Sequence, residues 1–209
     1  MVDLRFALAL LLLPTLAQAR CVTADGLATG VICKREDGRT GLAQGDANTI
    51  TVDCSTNSTG AWMDRRPTKL GIYQTSWAWT PTEDLDVGGG PGGNDADTFA
   101  GRPPVPAEGQ SWQTSILVKE HHDDGTQSSG PITRYKLAAT NTFLPVTEAT
   151  LSGCAYRIQS IEATLTNPQI TIKERFIYFP DLGFGLQTRS SLAPGQDLRL
   201  GLTALTPKT

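Results

Sequence analysis

The sequence has few of the residues and none of the short motifs on which common enzyme classes depend. Its 209 residues include two histidines, which are adjacent in the sequence. It has no G-x-S-x-G nucleophile elbow, no S-x-x-K motif, no C-x-x-C pair and no P-loop. These absences exclude the hydrolase, redox and nucleotide-binding classes that the motifs define. They favour a protein that is not an enzyme.

Charge is also scarce, and neither sign dominates. Asp, Glu, Lys and Arg make up 19% of the chain, and the formal net charge is −3. Nucleic-acid-binding proteins carry a basic patch that neutralises phosphates, and this balance does not supply one. We therefore expect no nucleic-acid partner. We also expect no transmembrane segment, because no apolar run approaches the roughly 20 residues that cross a bilayer.

Residues 1–19 have the order of a secretory signal peptide. Arg5 precedes the apolar run Phe6–Leu16, and residues 17–19 form the small-x-small sequence Ala-Gln-Ala. We expect cleavage after this sequence and a secreted, periplasmic protein. Cys21 follows closely, which raises lipidation as an alternative. However, Arg20 stands directly before it, where a lipidation motif needs a small residue.

Glycine and proline are abundant, and apolar residues alternate with polar ones in many short stretches. The chain has 21 Gly and 13 Pro. Alternation over Trp112–His121 and Ile132–Thr140 predicts a hairpin, and Gln169–Phe179 alternates in the same way. Together such stretches predict an all-β protein with about nine or ten antiparallel strands. The expected architecture is a sandwich or an open or curved barrel.

The segment Thr82–Gln110 interrupts this alternation. It is dominated by glycine and proline and has few large apolar residues. A loop of this length without secondary structure is either functional or disordered. We predict a single β domain over residues 20–209, with residues 82–110 as a mobile loop.

Four cysteines follow the expected cleavage site. An even number in an exported protein predicts two disulfides, and four cysteines allow three pairings. We favour Cys21–Cys33, because the intervening Asp25-Gly26 is a hairpin turn signal. The second bridge would then be Cys54–Cys154, which would tie the N-terminal region to the C-terminal half.

Acidic residues in and beside the glycine-rich stretch are candidate metal ligands. The sequence GGPGGND at Gly89–Asp95 resembles the calcium-binding nonapeptide of repeat toxins, although that architecture needs stacked repeats and this chain has one imperfect copy. The carboxylates that could bind calcium are Asp84, Asp86, Asp95 and Asp97. The alternative is a flexible acidic linker, and we expect no other cofactor.

The adjacent pair His121-His122 is the second candidate site. Neighbouring residues of a regular strand point to opposite faces, so these two could share a metal ion only at a turn. Asp124-Gly125 is a turn signal. The pair therefore indicates either a polar hairpin end or, alternatively, a hydrolase or metal-dependent enzyme that uses His121 or His122.

An aromatic stripe is the third candidate site. If Lys69–Thr80 is one strand, Tyr73, Trp77 and Trp79 share one face of it. Such a stripe either lines a groove for a glycan or lipid or forms part of the core.

The sequence Tyr178-Phe179-Pro180-Asp181-Leu182-Gly183 carries a local resemblance. It resembles the Y-x-P-x-L-G ending of uncharacterised bacterial envelope proteins that are built on curved antiparallel sheets. The resemblance covers about the last third of the chain and implies a fold and a compartment, but no catalytic residues. In this stretch, Pro180 would end one strand and Gly183 would permit a positive φ.

These observations together predict a non-enzymatic, secreted or periplasmic β-protein. Its partner is expected to be an apolar or amphiphilic ligand or an envelope protein. One alternative is a structural or assembly module that uses an edge strand or the glycine-rich loop. The other is the histidine-dependent enzyme.

Overall fold

The computed structural model describes residues 20–46, 49–55, 62–81, 93–122, 132–193 and 196–208. They contain one four-residue helix, Gly26–Thr29, and fourteen strands. The prediction of an all-β antiparallel protein is confirmed. The predicted count of nine or ten strands was too low.

The strands vary in length from two to twenty residues, and the longest ones lie in the C-terminal half. In chain order they are β1 (Val31–Arg35), β2 (Thr40–Gly45), β3 (Ile50–Ser55), β4 (Trp62–Lys69), β5 (Tyr73–Gln74), β6 (Ser76–Pro81), β7 (Gly93–Phe99), β8 (Ser111–His122), β9 (Ile132–Leu151), β10 (Cys154–Thr166), β11 (Thr171–Phe179), β12 (Phe184–Ala193), β13 (Gln196–Arg199) and β14 (Leu202–Pro207).

All fourteen strands belong to one sheet, which curls into a half-barrel. The order is β13-β12-β11-β10-β9-β8-β7-β6-β4-β3-β2-β1-β14, and β5 pairs with β4. The strands at its two ends, β13 and β14, are consecutive in the chain. Between them, the amide of Leu200 donates to Thr188 of β12, and the carbonyl of Gly201 accepts from Glu36 beside β1. The sheet is therefore curled rather than split into the two layers of a sandwich.

The two faces of the half-barrel differ in burial, as the alternating sequence predicts. In β9, Leu137, Ala139 and Phe143 are buried on the concave face, whereas Lys136 and Ala138 are exposed. The predicted hairpin is confirmed, because β8 pairs antiparallel with β9 and Ile116 lies opposite Leu137. The concave face thus carries the core, and the convex face meets solvent.

A bulge accommodates Pro145 inside β9. Proline cannot donate a ladder hydrogen bond, so it is excluded from regular central strands. The register between β9 and β10 shifts between Gln159 and Ile161, opposite this proline. The Gln159 side chain, 1% exposed, donates from Nε2 to the carbonyl of Leu144 at 2.9 Å. A side-chain amide thereby satisfies a carbonyl beside the bulge.

A tight turn interrupts the predicted strand Lys69–Thr80, so that prediction was wrong. β4 ends at Lys69, and the next two residues, Leu70 and Gly71, have φ values of +58° and +67°. The amide of Ile72 donates to Lys69, which closes the turn. Its tip contacts β12, where the amide of Gly185 donates to Leu70 at 2.8 Å.

The glycine- and proline-rich segment differs from the prediction of a loop without secondary structure. Residues 93–99 form β7, which pairs with β6 on one side and β8 on the other. Residues 82–92 lie outside the described ranges. Side chains of β7 alternate between the interior and the exterior of the half-barrel despite the polar composition of the strand. Asp95, Asp97 and Phe99 face the interior.

The disulfide in the described ranges joins Cys21 to Cys154, with a Cα–Cα distance of 5.6 Å. Both favoured pairings, Cys21–Cys33 and Cys54–Cys154, were therefore wrong. A short helix, rather than a hairpin, follows Asp25, so Cys21 is not brought beside Cys33. Cys33 and Cys54 instead lie in register with the same residue of β2, Gly41. The bridge also occupies the Cys21 thiol that lipidation would require.

The turn at Tyr178–Gly183 has the geometry that the resemblance implies. Gly183 has a φ of +74°, and its amide donates to Phe179 at 2.9 Å. The chain then reverses, and β12 begins with the buried residue Phe184. Among the described residues, none of the helical segments has the length and apolar character needed to cross a membrane.

Candidate functional site

The concave face of the half-barrel contains a cavity of about 340 Å³. This volume lies within the roughly 300–1,000 Å³ of typical small-molecule sites. Residues of β1 and of β3 to β13 line it, together with residues of the turns between them. The curl of the sheet therefore creates the space, and the inward-facing residues of each strand determine its chemistry.

One wall of the cavity is apolar. It is built from neighbouring strands whose interior positions carry aliphatic or small side chains: Ile116 and Val118 of β8, and Leu137 and Ala139 of β9. All four are at most 5% exposed. Phe99, Leu165 and Phe176 extend this surface. An apolar group placed here would be removed from water, with a gain of about 25 cal/mol for each Å² buried.

Two carboxylates from β7 line the cavity. Asp95 and Asp97 are two residues apart and therefore project from the same face of the strand. Nε2 of Gln74, in β5, lies 3.4 Å from both oxygens of Asp95 and 3.2 Å from Oδ2 of Asp97. Oδ1 of Asp97 is buried and has no hydrogen-bond partner among the described residues. The oxygens of the two carboxylates are therefore only partly satisfied by hydrogen bonds from the described residues.

Burial raises the pKa values of Asp95 and Asp97 above that of an exposed aspartate. Burial, followed by the charge of Asp97, raises the pKa of Asp95 to about 7. Burial likewise raises the pKa of Asp97 to about 6, against a lowering contribution from the Gln74 hydrogen bond. Glu120 of β8, opposite Asp95 in the sheet, also disfavours its ionisation. The pair therefore titrates near neutral pH.

A third carboxylate lines the cavity from β11. Glu174 accepts a hydrogen bond at 2.7 Å from Nε2 of Gln187, and Oε1 of the same amide accepts from Arg66 at 3.0 Å. Burial raises the pKa of Glu174, while the charge of Arg66 lowers it. The amide thus links a carboxylate on one strand to a guanidinium on another.

The other two arginines at the cavity contact different groups. Arg35 is 6% exposed, and its Nη1 donates to the carbonyls of Gln187 and Leu200 at 2.7 Å each. Arg39 forms an ion pair with Asp37, and the hydrogen bond from Arg39 lowers the pKa of that carboxyl. These cations are therefore engaged by backbone carbonyls and by an acid outside the cavity lining.

Two of the three residues of the predicted aromatic stripe line the cavity. Tyr73, 3% exposed, and Trp77 both line it, whereas the side chain of Trp79 lies outside the described part of the structure. The Tyr73 hydroxyl donates to the carbonyl of Pro104 at 3.0 Å, and its ring packs edge-on against Trp112 at 5.2 Å. Burial raises the pKa of Tyr73. Tyr73 thus belongs to the core as well as to the wall, and ligand binding by the stripe stays a prediction.

The predicted calcium ligands are divided between described and undescribed residues. Asp84 and Asp86 lie outside the described ranges, and Asp95 and Asp97 lie on a strand inside the cavity. Within the ranges that the structure describes, no three Asp, Glu, His or Cys residues are grouped as metal ligands would be. Calcium binding by these four residues stays a prediction.

The histidine pair is in a regular strand. β8 continues through His121 and His122, which pair with Asn94 and Gly93 of β7. The turn that would let both imidazoles share one ion is therefore not formed at this point of the chain.

The fold and the site together describe an antiparallel half-barrel with a partly apolar, partly acidic interior cavity. No family model and no curated protein matches the chain. Among solved structures, the chain is similar to the hypothetical lipoprotein YmcC from Escherichia coli. The two share 14% sequence identity with a TM-score of 0.43, over 90% of this chain and 92% of that one.

Proposed function

We propose that this protein is a non-enzymatic binding protein of the extracytoplasmic space that holds an amphiphilic small molecule in the cavity of its half-barrel. The observation that carries the proposal is the division of the cavity lining. An apolar wall from β8 and β9 shares the cavity with carboxylates from β7 and β11. A ligand with an apolar tail and a polar head matches such a lining.

The extracytoplasmic location has two supports. The Cys21–Cys154 disulfide is typical of proteins that fold in an oxidising compartment. Residues 1–19 have the order of a signal peptide. The periplasm of a bacterium is the compartment we propose.

A titration with decyl maltoside, an uncharged amphiphile, tests binding directly. We expect saturable heat release in calorimetry at concentrations below micelle formation. We also expect a change in tryptophan fluorescence, because Trp77 lines the cavity.

Two alanines of β9 provide a matched pair of variants. Ala139 is 4% exposed on the cavity wall, whereas the adjacent Ala138 is exposed on the convex face. Ala139→Leu places extra volume in the cavity and should weaken decyl maltoside binding by about tenfold or more. Ala138→Leu should leave it unchanged. Absence of binding, or equal binding by both variants, would refute the proposal.

A further inference from the structure

We propose that the ligand of this cavity carries a primary ammonium group, which Asp95 and Asp97 bind. This inference rests on the proposed function and names the chemistry of the ligand head. The apolar wall sets a requirement for the tail, and the two carboxylates of β7 set a separate requirement for the head.

The hydrogen bonds of the two carboxylates show that one of their oxygens lacks a donor among the residues that the structure describes. Three of their four oxygens lie 3.2–3.4 Å from Nε2 of the Gln74 amide, which is long for a hydrogen bond to an anion. A backbone hydrogen bond from Trp77 adds to Asp95. Oδ1 of Asp97 is buried and lacks a donor in the described part of the chain. A buried acceptor without a donor is costly, and a ligand N–H would relieve that cost.

The charged neighbours of the pair make this end of the cavity acidic. Glu120 of β8 and Glu174 of β11 add negative charge, and Tyr135 of β9 is a neutral phenol whose pKa is raised first by burial and then by the nearby carboxylates. The charge of Arg66 of β4 acts in the opposite direction, because it lowers the pKa of both Asp95 and Glu174. A positively charged guest would therefore improve the charge balance, and an anionic one would worsen it.

These features distinguish a primary ammonium from other cationic heads. An alkylammonium carries three N–H donors, as a lysine side chain does. A trimethylammonium head has the same charge but no donor. The buried acceptor on Asp97 therefore favours the primary ammonium, with an alkyl tail against Ile116, Val118, Leu137 and Ala139.

Four probes of equal tail length test the inference by calorimetry at pH 8: decylammonium, decyltrimethylammonium, decyl maltoside and decyl sulfate. We expect decylammonium to bind at least about tenfold more tightly than decyl maltoside. The trimethylammonium should fall between the two, and decyl sulfate should bind most weakly. Between pH 8 and pH 5, the affinity for decylammonium should fall about tenfold as Asp95 and Asp97 become protonated, while that for decyl maltoside should stay constant.

Isosteric variants assign the effect to the two carboxylates. Asp95→Asn and Asp97→Asn should each lower decylammonium affinity about tenfold without changing decyl maltoside affinity. Constant maltoside binding also shows that each variant is folded. Asp25→Asn removes the same charge from an exposed position and should change neither affinity.

The outcomes separate the two proposals. Equal binding of decylammonium and decyl maltoside, or equal loss of both in the Asn variants, overturns the ammonium assignment alone. Binding that Ala139→Leu does not weaken overturns the cavity as the site, and the ammonium assignment with it. The same conclusion follows if none of the four probes binds.

Discussion

Gly71 and Gly185 are in direct contact across the concave face of the half-barrel. A Cβ atom added to Gly71 would overlap the carbonyl oxygen of Gly185, and one added to Gly185 would lie 2.9 Å from the Ile72 side chain. Together with the hydrogen bond from Gly185 to Leu70, this contact fixes the β4–β5 turn on β12. The turn carries Ile72, Tyr73 and Gln74, three residues that line the cavity.

Replacement of Gly71 should therefore destabilise the fold and disturb the cavity. In Gly71→Ala, the side chain meets backbone atoms that cannot move away easily, and φ is +67°. We expect a loss of about 2–4 kcal/mol in the free energy of unfolding, measured in urea. Gly109→Ala is the control, because Gly109 has a φ of +72° but no atom within 4 Å of a Cβ. The control should lose only about 1 kcal/mol. Equal losses would mean that the contact does not matter.

Arg35 should stabilise the place where the two edges of the sheet meet. It links β1 to the carbonyls of Gln187 in β12 and of Leu200 before β14. Arg35→Met retains an apolar stem but removes the donors, so two carbonyls lose a partner. We expect a loss of about 2–3 kcal/mol in urea unfolding. Arg199→Met serves as the control.

The side chain of the control residue Arg199 is 80% exposed, and its Nε lies 3.9 Å from Oδ2 of Asp197, which is a long distance for an ion pair. Its replacement should cost less than about 0.5 kcal/mol. A cost for Arg35→Met as small as that for Arg199→Met would contradict the role assigned to Arg35.

The disulfide should contribute strongly, because Cys21 and Cys154 are 133 positions apart. In the chain-entropy model, a bridge that closes so long a loop stabilises the folded state by roughly 3–5 kcal/mol. The double variant Cys21→Ser/Cys154→Ser should unfold at a correspondingly lower urea concentration. A peptide map of the unreduced protein should recover the two cysteines in one linked pair. A linked Cys21–Cys33 or Cys54–Cys154 peptide would instead contradict the structure.

Stability should rise as the pH falls from 8 to 5, because of Asp95 and Asp97. Their pKa values, about 7 and about 6, lie above the ordinary value of 3.8. A carboxyl whose pKa is raised by folding stabilises the protein fully at low pH, and this contribution is lost as the pH rises through the folded-state value. Because both side chains are partly exposed to solvent, we expect only about 1–2 kcal/mol for the pair.

The matched variant for this measurement is Asp95→Asn/Asp97→Asn. It should be more stable than the wild type at pH 8 and close to it at pH 5, so the difference between their urea midpoints should shrink as the pH falls. A difference that is constant with pH would show that these carboxyls ionise as they do in the unfolded chain.

Strands with regular alternation of apolar and polar residues could be predicted from the sequence. The errors in the predicted turn and cysteine pairing arose where contacts between distant residues determine the structure. The β8–β9 hairpin followed from period-two alternation alone. The turn at Leu70 was not visible, because its positive φ is stabilised by a hydrogen bond from Gly185, a residue remote in the sequence. The cysteine pairing failed for a related reason, since Asp25-Gly26 leads into a helix rather than a hairpin.

The candidate site was predictable only one residue at a time. Asp95 and Asp97 were identified as acidic residues of a loop, although their spacing of two, continued by Phe99, is also the signature of a strand. Gln74, Glu174 and Gln187 carried no local signal, because only the curl of the sheet brings their strands to one cavity. The stripe of Tyr73, Trp77 and Trp79 was predicted either to line a ligand groove or to form core, and Tyr73 and Trp77 line the cavity.

The pairing of β1 with β14 has a consequence for biosynthesis. Val31 lies opposite Pro207 and Cys33 opposite Leu205, so β1 pairs with a strand that is synthesised after all the other described strands. The half-barrel cannot be completed until β14 has been synthesised. Assembly of the sheet is then expected to be slow for its size, because contacts so distant in sequence are costly to form early.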